Sequence, residues 1–244
     1  MRKHLAIYWV SKVCFFAGLI FTIATITRAD QEGGVIPYLL ESHNKKYTFV
    51  MLKGGSNDSP HSAYSPIYTQ SGLYRNDGST RPLWVVDWSA YVFLPSDGIH
   101  LVRKGKWARI GEYDEEAITF FAHGKPIKMY RIRDLVDFPY FLPRTVSHFE
   151  WQKTDSTLPV TLKMLDGAEF PFQTGVSFDE LTHTMKLETL QGDSYVFNVE
   201  TGEIISSYRP ARKVLIIIGT MIILLIVAST LYFLHRKKKI TSSA

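Results

Sequence analysis

The chain has 244 residues, 28 Lys and Arg, 23 Asp and Glu, a formal net charge of +5 and one cysteine. Eleven of the basic residues lie before Asp30 or after Tyr208 and every acidic residue lies between those points, so the body carries 17 basic against 23 acidic side chains, a net of −6. The positive balance therefore belongs to the ends, which excludes a nucleic-acid-binding body. Cys14 lies ahead of the body, which excludes a disulfide framework, a thiol nucleophile and a thiolate metal site there.

The first 29 residues read as a signal peptide. Arg2 and Lys3 form a positive start, Val13 to Ile26 is an apolar run of signal-peptide length, and Thr27-Arg28-Ala29 places small residues at −3 and −1 of a cut before Asp30. The rival is an uncleaved anchor from Leu5 to Ile26, at the cost of Lys12 within it. Either reading exports residues 30–208.

That body reads as short strands joined by tight turns. Lys53 to Pro66 (KGGSNDSPHSAYSP) is rich in Gly, Ser and Pro and reads as a surface loop, with a glycosylation sequon at Asn57-Asp58-Ser59 followed by Pro60. Tyr47 to Leu52 and Leu83 to Trp88 are β-branched and aromatic runs. Tyr91 to Leu94 pairs with Ile99 to Val102 across Asp97-Gly98, Ala117 to Phe121 with Ile127 to Ile132 across His123-Gly124, and Met185 to Leu190 with Tyr195 to Val199 across Gly192. Tyr195, Phe197 and Val199 share one face of their strand. Arg133 to Asp137 predicts one helical turn before Phe138-Pro139, and Pro139, Pro143 and Pro159 keep their surroundings irregular. Hairpins around Gly98, Gly124, Gly167 and Gly192 resemble propeller blades, although the body has room for only about four blades of ~40–45 residues. The expected fold class is all-β, antiparallel hairpins in a partial propeller-like ring or a sandwich, with closure open.

Val214 to Leu234 is a run of 21 residues without a charge. As a helix rising ~1.5 Å per residue it covers roughly 30 Å, the thickness of a bilayer core. Arg212 and Lys213 bound it on one side and His235 to Lys239 on the other. The tail cluster Arg236 to Lys239 is expected in the cytoplasm, with the β domain outside. The bases Arg209, Arg212 and Lys213 weaken that asymmetry, so orientation rests on the export segment.

Few residues point to chemistry. The sequence has no Gly-x-Ser-x-Gly elbow, phosphate loop, His-Glu-x-x-His or dinucleotide fingerprint. His43, His61, His100, His123, His148 and His183 are scattered without metal-ligand spacing and read as turn or surface residues. Asp87, between Val86 and Trp88 in an apolar run, is a candidate buried carboxylate, or else the partner of Arg75 or Arg81. Trp84 and Trp151 read as core, and Trp107, beside charged residues, as the exposed tryptophan. Asp87, Trp88, Trp107 and His148 form the ligand-binding candidate set. No catalytic residue, metal or cofactor is assigned.

The segments Ser71 to Trp88, Ser96 to Ala108, Ala117 to Trp151 and Leu187 to Ile205 carry a resemblance. They contain Leu73-Tyr74-Arg75-Asn76-Asp77-Gly78-Ser79 before Pro82-Leu83-Trp84, then Ser147-His148-Phe149-Glu150-Trp151, and a closing hairpin with Gly192, Tyr195, Phe197, Thr201 and Gly202. On these runs the chain resembles a family of exported bacterial β-rich proteins to which no activity is assigned. The resemblance implies a propeller-like or sandwich fold in the bacterial envelope and no reaction. The functional expectation is a single-pass protein of the bacterial cytoplasmic membrane with a non-catalytic extracytoplasmic binding or scaffold domain, its partners the lipid bilayer and another envelope protein, not nucleic acid. The alternative is a membrane-tethered hydrolase of envelope polymers using carboxylates such as Asp87 and Asp137.

Overall fold

The computed structural model describes residues 34–53, 67–144, 148–154 and 159–241. The signal segment, most of the Gly/Ser/Pro-rich loop with its sequon, and the last three residues lie outside the described residues.

The body is built from antiparallel strands in three sheets. The chain first lays down β1 (Tyr38–Glu41), β2 (Tyr47–Met51), β3 (Gly72–Arg75) and β4 (Trp84–Val85) side by side. A second sheet follows as a meander of β5 (Val92–Phe93), β6 (His100–Lys104), β7 (Glu116–Ala122) and β8 (Lys125–Arg131). After a helical turn, α1 (Ile132–Leu135), and a 3-10 turn at Pro139–Phe141, the chain returns to the first sheet. There β9 (Val160–Met164) pairs with β1, Leu39 opposite Lys163, and β10 (Glu169–Phe172) forms the edge. The third sheet is the meander β11 (Val176–Asp179), β12 (Thr184–Glu188), β13 (Ser194–Asn198) and β14 (Ile204–Tyr208). One residue later the long helix α2 (Pro210–Thr241) begins.

The predicted hairpins form at the predicted turns. At His123-Gly124 both residues have positive φ, 49° and 75°, the conformation a two-residue turn needs to match strand twist. At the β5–β6 turn the Asp97 carboxylate accepts the amides of Ile99 and His100, each at 2.8 Å, and the His100 ring at 2.6 Å. Burial pushes the Asp97 carboxyl up, but these donors outweigh it and hold it down to about 2.

The second sheet is the middle layer. Its strands β5, β6 and β7 contribute side chains to two cores by alternation, whereas the edge strand β8 is mostly exposed. Phe93, Val102, Ile118, Phe120 and Tyr130 pack against Met185, Leu187, Tyr195 and Phe197 of the third sheet. Val92, Leu101 and Phe121 pack against Phe49, Met51, Leu73 and Trp84 of the first. Alternation along β7 sends the neighbouring rings of Phe120 and Phe121 to opposite cores. The β13–β14 turn lies directly on the middle sheet: Tyr130 donates its hydroxyl to the Gly202 carbonyl at 2.9 Å. Gly202 has φ +72°, and a Cβ there would sit 2.5 Å from Lys128 Cβ. Only glycine lets this turn approach so closely.

The molecule is thus a stack of three antiparallel sheets. No propeller ring closes among the described residues, which corrects the ring alternative. The physical reason is the return of β9 and β10 to β1: the first sheet grows to six strands instead of starting a fourth blade.

Candidate functional site

The residues singled out in the sequence fall in three different places. Asp87 is exposed, and its backbone carbonyl accepts Lys53 Nζ at 2.7 Å. The expected strand from Leu83 to Trp88 is only Trp84–Val85 long. Trp84 and Val86 point into the core while Val85 and Asp87 point out, so the buried-carboxylate expectation for Asp87 is corrected by simple alternation.

Trp88 is half-buried and belongs to a packed aromatic cluster. Its ring lies 6.2 Å from Phe49 and 5.3 Å from Phe121. The Arg103 guanidinium sits 4.9 Å from the Trp88 ring and 5.1 Å from Phe121. A forked pair with Glu116, at 2.8 and 2.5 Å, fixes it there. Arg103 thus caps the core with its planar face while its edge is neutralised.

Trp107 and His148 meet. Their rings stack at 3.9 Å with 24° between planes, and the antiparallel bridge of Ala108 to Phe149 aligns the two segments. His148 is only 3 % exposed, which corrects its reading as a turn or surface histidine; Trp107 is half-buried and forms the outer member of the stack. Trp84 and Trp151 are core residues, as expected.

A fourth cluster was not visible as a unit in the sequence. It assembles at the foot of α2 from three distant segments. Asp137, between α1 and the 3-10 turn, accepts Arg209 Nη2, and Arg212 Nε lies 4.0 Å from the same oxygen. The Asp137 and Arg209 side chains are 14 % and 17 % exposed. Arg209 also lies 5.7 Å from the Tyr195 ring, whose hydroxyl donates to the Leu135 carbonyl at 2.7 Å. Asp193, in the β12–β13 turn, is 0 % exposed, and neither carboxyl oxygen has a hydrogen-bond partner among the described residues. Burial pushes its carboxyl above the ordinary range; the Arg209 charge opposes that and the Asp137 charge adds to it.

The same cluster holds the neighbouring chain in place. Gln191 donates Nε2 to the Phe138 carbonyl at 2.5 Å and accepts the Phe138 amide at 3.4 Å. Gly192 faces Pro210, whose Cγ would be 3.8 Å from a Cβ at that glycine. Pro210 opens the helix where a missing N–H costs nothing. From Arg212 to Thr230 the helix is long and apolar enough to cross a membrane, and none of that window is buried against the body.

Two acids thus stand with two arginines, Arg209 and Arg212, at the joint between body and helix. Arg209 occupies Asp137, Asp193 has no open surface, and the group links the segments that carry them. Among the described residues no group of three His, Cys, Asp or Glu is arranged to hold a metal ion. No family model and no curated protein matches the chain, so the family resemblance is carried by the sequence motifs alone.

Proposed function

We propose that the chain is a membrane-anchored binding or scaffold protein, with its β body on the extracytoplasmic side of a bacterial cytoplasmic membrane and α2 as its single span. The observation that carries this reading is the rigid joint. An exposed apolar helix of spanning length leaves the last strand after a single residue, and that residue, Arg209, is ion-paired into the body. An unburied apolar surface of this size needs lipid around it.

The disposition of the acids favours binding over hydrolysis. Glycoside chemistry uses two accessible carboxyl groups about 5–9.5 Å apart. Asp87 and Asp137, the pair named from the sequence, have separate partners: Lys53 meets the backbone of one and Arg209 the carboxylate of the other. Ligand contact is assigned to the outer face of Trp107, which His148 backs from the core side.

Protease treatment of intact spheroplasts tests the topology. The body is expected to be digested from outside, while an epitope after Lys239 is protected and stays in the membrane after an alkaline carbonate wash. A protected body, or its release by carbonate, overturns the reading. A photo-crosslinking residue at position 107 is expected to give a discrete adduct in cells; monomer alone removes Trp107 as the ligand face.

A further inference from the structure

The foot of the body carries an aromatic surface that its core does not use. Tyr140 and Phe141 sit on the 3-10 turn at 68 % and 83 % exposure, and Tyr208, the last residue of β14, is also exposed. Large rings left open in this way are normally buried against something. This turn is not a loose tip. Its start, Phe138, is clamped on both sides by Gln191, and the Phe138 and Phe141 rings are 6.4 Å apart. Tyr140 packs edge-on against Tyr113 at 4.9 Å, and Arg144 donates to the Tyr140 carbonyl.

The helix fixes where this surface lies. Asp137, the residue before Phe138, is ion-paired to Arg209 at the head of α2. Gln191, which clamps Phe138, adjoins Gly192, and Gly192 faces Pro210. Lys213, in the first turn of α2, places Nζ 4.7 Å from the Tyr208 ring. If α2 spans the bilayer, the 3-10 turn therefore stands at the level of the lipid headgroups. Tyrosine rings concentrate at that depth because the ring is apolar and the hydroxyl polar, and an apolar ring such as Phe141 beside them reaches the acyl boundary. Arg144, Arg212 and Lys213 beside them suit the anionic headgroups of the same layer.

We propose that Tyr140, Phe141 and Tyr208, with Arg144, Arg212 and Lys213, form a membrane-interface foot that seats the β body on the lipid headgroups of the bilayer crossed by α2. This rests on the spanning reading given above. The partner is the lipid layer rather than a protein, because the helix delivers the foot to that layer and the bases Arg144, Arg212 and Lys213 outnumber Asp137, the acid beside the rings, which Arg209 already engages.

Leu181 supplies the internal control. It is 94 % exposed, more open than Phe141, yet it lies in the β11–β12 turn. That turn is at the opposite end of the third sheet from Gly192: strand β12 alone separates them by about 15 Å at ~3.4 Å per residue. The test uses the full chain with Cys14→Ser, in nanodiscs containing anionic lipid, with an environment-sensitive nitrobenzoxadiazole probe on Phe141→Cys, Leu181→Cys or Ile223→Cys. Lipids carrying a nitroxide near the headgroup are the quencher. The probe at 141 is expected to emit blue-shifted and to be quenched several-fold, whereas the probe at 181 behaves as in water. Ile223 reports the span and is expected to respond to nitroxides placed deeper in the acyl chain. Quenching at 223 with a water-like probe at 141 overturns the foot and leaves the span intact. A blue-shifted probe at 141 that the lipids do not quench assigns the surface to a protein partner or a second copy and also overturns it. Absence of quenching at 223 removes the span, and the foot with it.

Discussion

Replacing Arg209 with Met tests whether the body and α2 are joined by a buried ion pair. Met keeps most of the side-chain length and removes the charge. Both partners are more than four-fifths buried, so the loss leaves Asp137 with only the longer, more exposed contact to Arg212 in a site already shared with the buried Asp193, and that remaining cation keeps the cost toward the lower end. Removing one member of a buried pair costs about 3–5 kcal/mol because the other charge is left uncompensated. The residual exposure of both side chains argues for the lower end, about 3 kcal/mol. For a domain of this size 1 kcal/mol moves Tm by roughly 2–4 °C, so R209M is expected to melt roughly 6–12 °C below the native protein. The assay is thermal unfolding of the full chain in detergent micelles at neutral pH, followed by the fluorescence of the buried Trp84 and Trp151. The double variant R209M/D137L removes both charges and is expected to recover most of the loss, since an apolar pair replaces a buried ionic one at little cost. Lys128→Ala, which breaks the exposed pair with Glu203, is expected to leave Tm unchanged within error. An R209M protein that melts with the native one, or a double variant no better than the single, refutes the account of the joint.

Two further outcomes follow from the same geometry. Because the Asp193 carboxyl is raised in the folded state, folding favours its protonated form. That contribution is complete below the ordinary carboxylate pKa of ~3.9 and is lost as pH rises through the raised folded value, so at neutral pH the residue destabilises the fold. Asp193→Asn is therefore expected to raise Tm at pH 7, with a gain that shrinks toward zero as the melts are moved to acid; a gain independent of pH contradicts it. Gly202→Ala is expected to cost about 2 kcal/mol or more, from a non-glycine residue at positive φ and a Cβ forced against Lys128 and Phe120. Gly78→Ala carries the φ strain alone, since nothing lies within 4 Å of its Cβ, and urea titration of the two variants separates the close approach from the strain.

The hairpins were legible because each is written in a few adjacent residues. His123-Gly124 and Asp97-Gly98 fix both turn and register locally, and the flanking aromatics supply the alternation. The stacking of the sheets was not legible. Which edge β9 joins is decided by pairing between Leu39 and Lys163, far apart in the chain, and no local pattern records it. Asp87 misled because its run of apolar neighbours looks like a strand buried on both faces, whereas the strand is short and one face is open. His148 was misjudged because its burial comes from Trp107 on another segment. Asp137 was named, but beside Asp87; its grouping with Asp193 and Arg209 was not legible for the same reason, since Asp193 reads as an ordinary turn residue after Gln191-Gly192, and Arg209 as one of several bases before an apolar run. The one available signal was Arg209 standing immediately before Pro210, the sign that the helix starts at the strand's end without a linker.

That short passage from strand to helix governs reach. A protein hung on a flexible tether samples a hemisphere whose radius grows with the length of its leash. Here Tyr208 ends a strand, Pro210 starts the helix, and the single residue between them is ion-paired. So short and ion-paired a connection leaves little slack between the direction of the helix and that of the body. If the helix spans a bilayer as proposed, the far turns, where Asn44 binds Ser96 and Ser96 in turn meets Glu180, stay at one height above it. On that reading a binding partner must come to that height, because the body stands as a post of set length and not as a line cast at random.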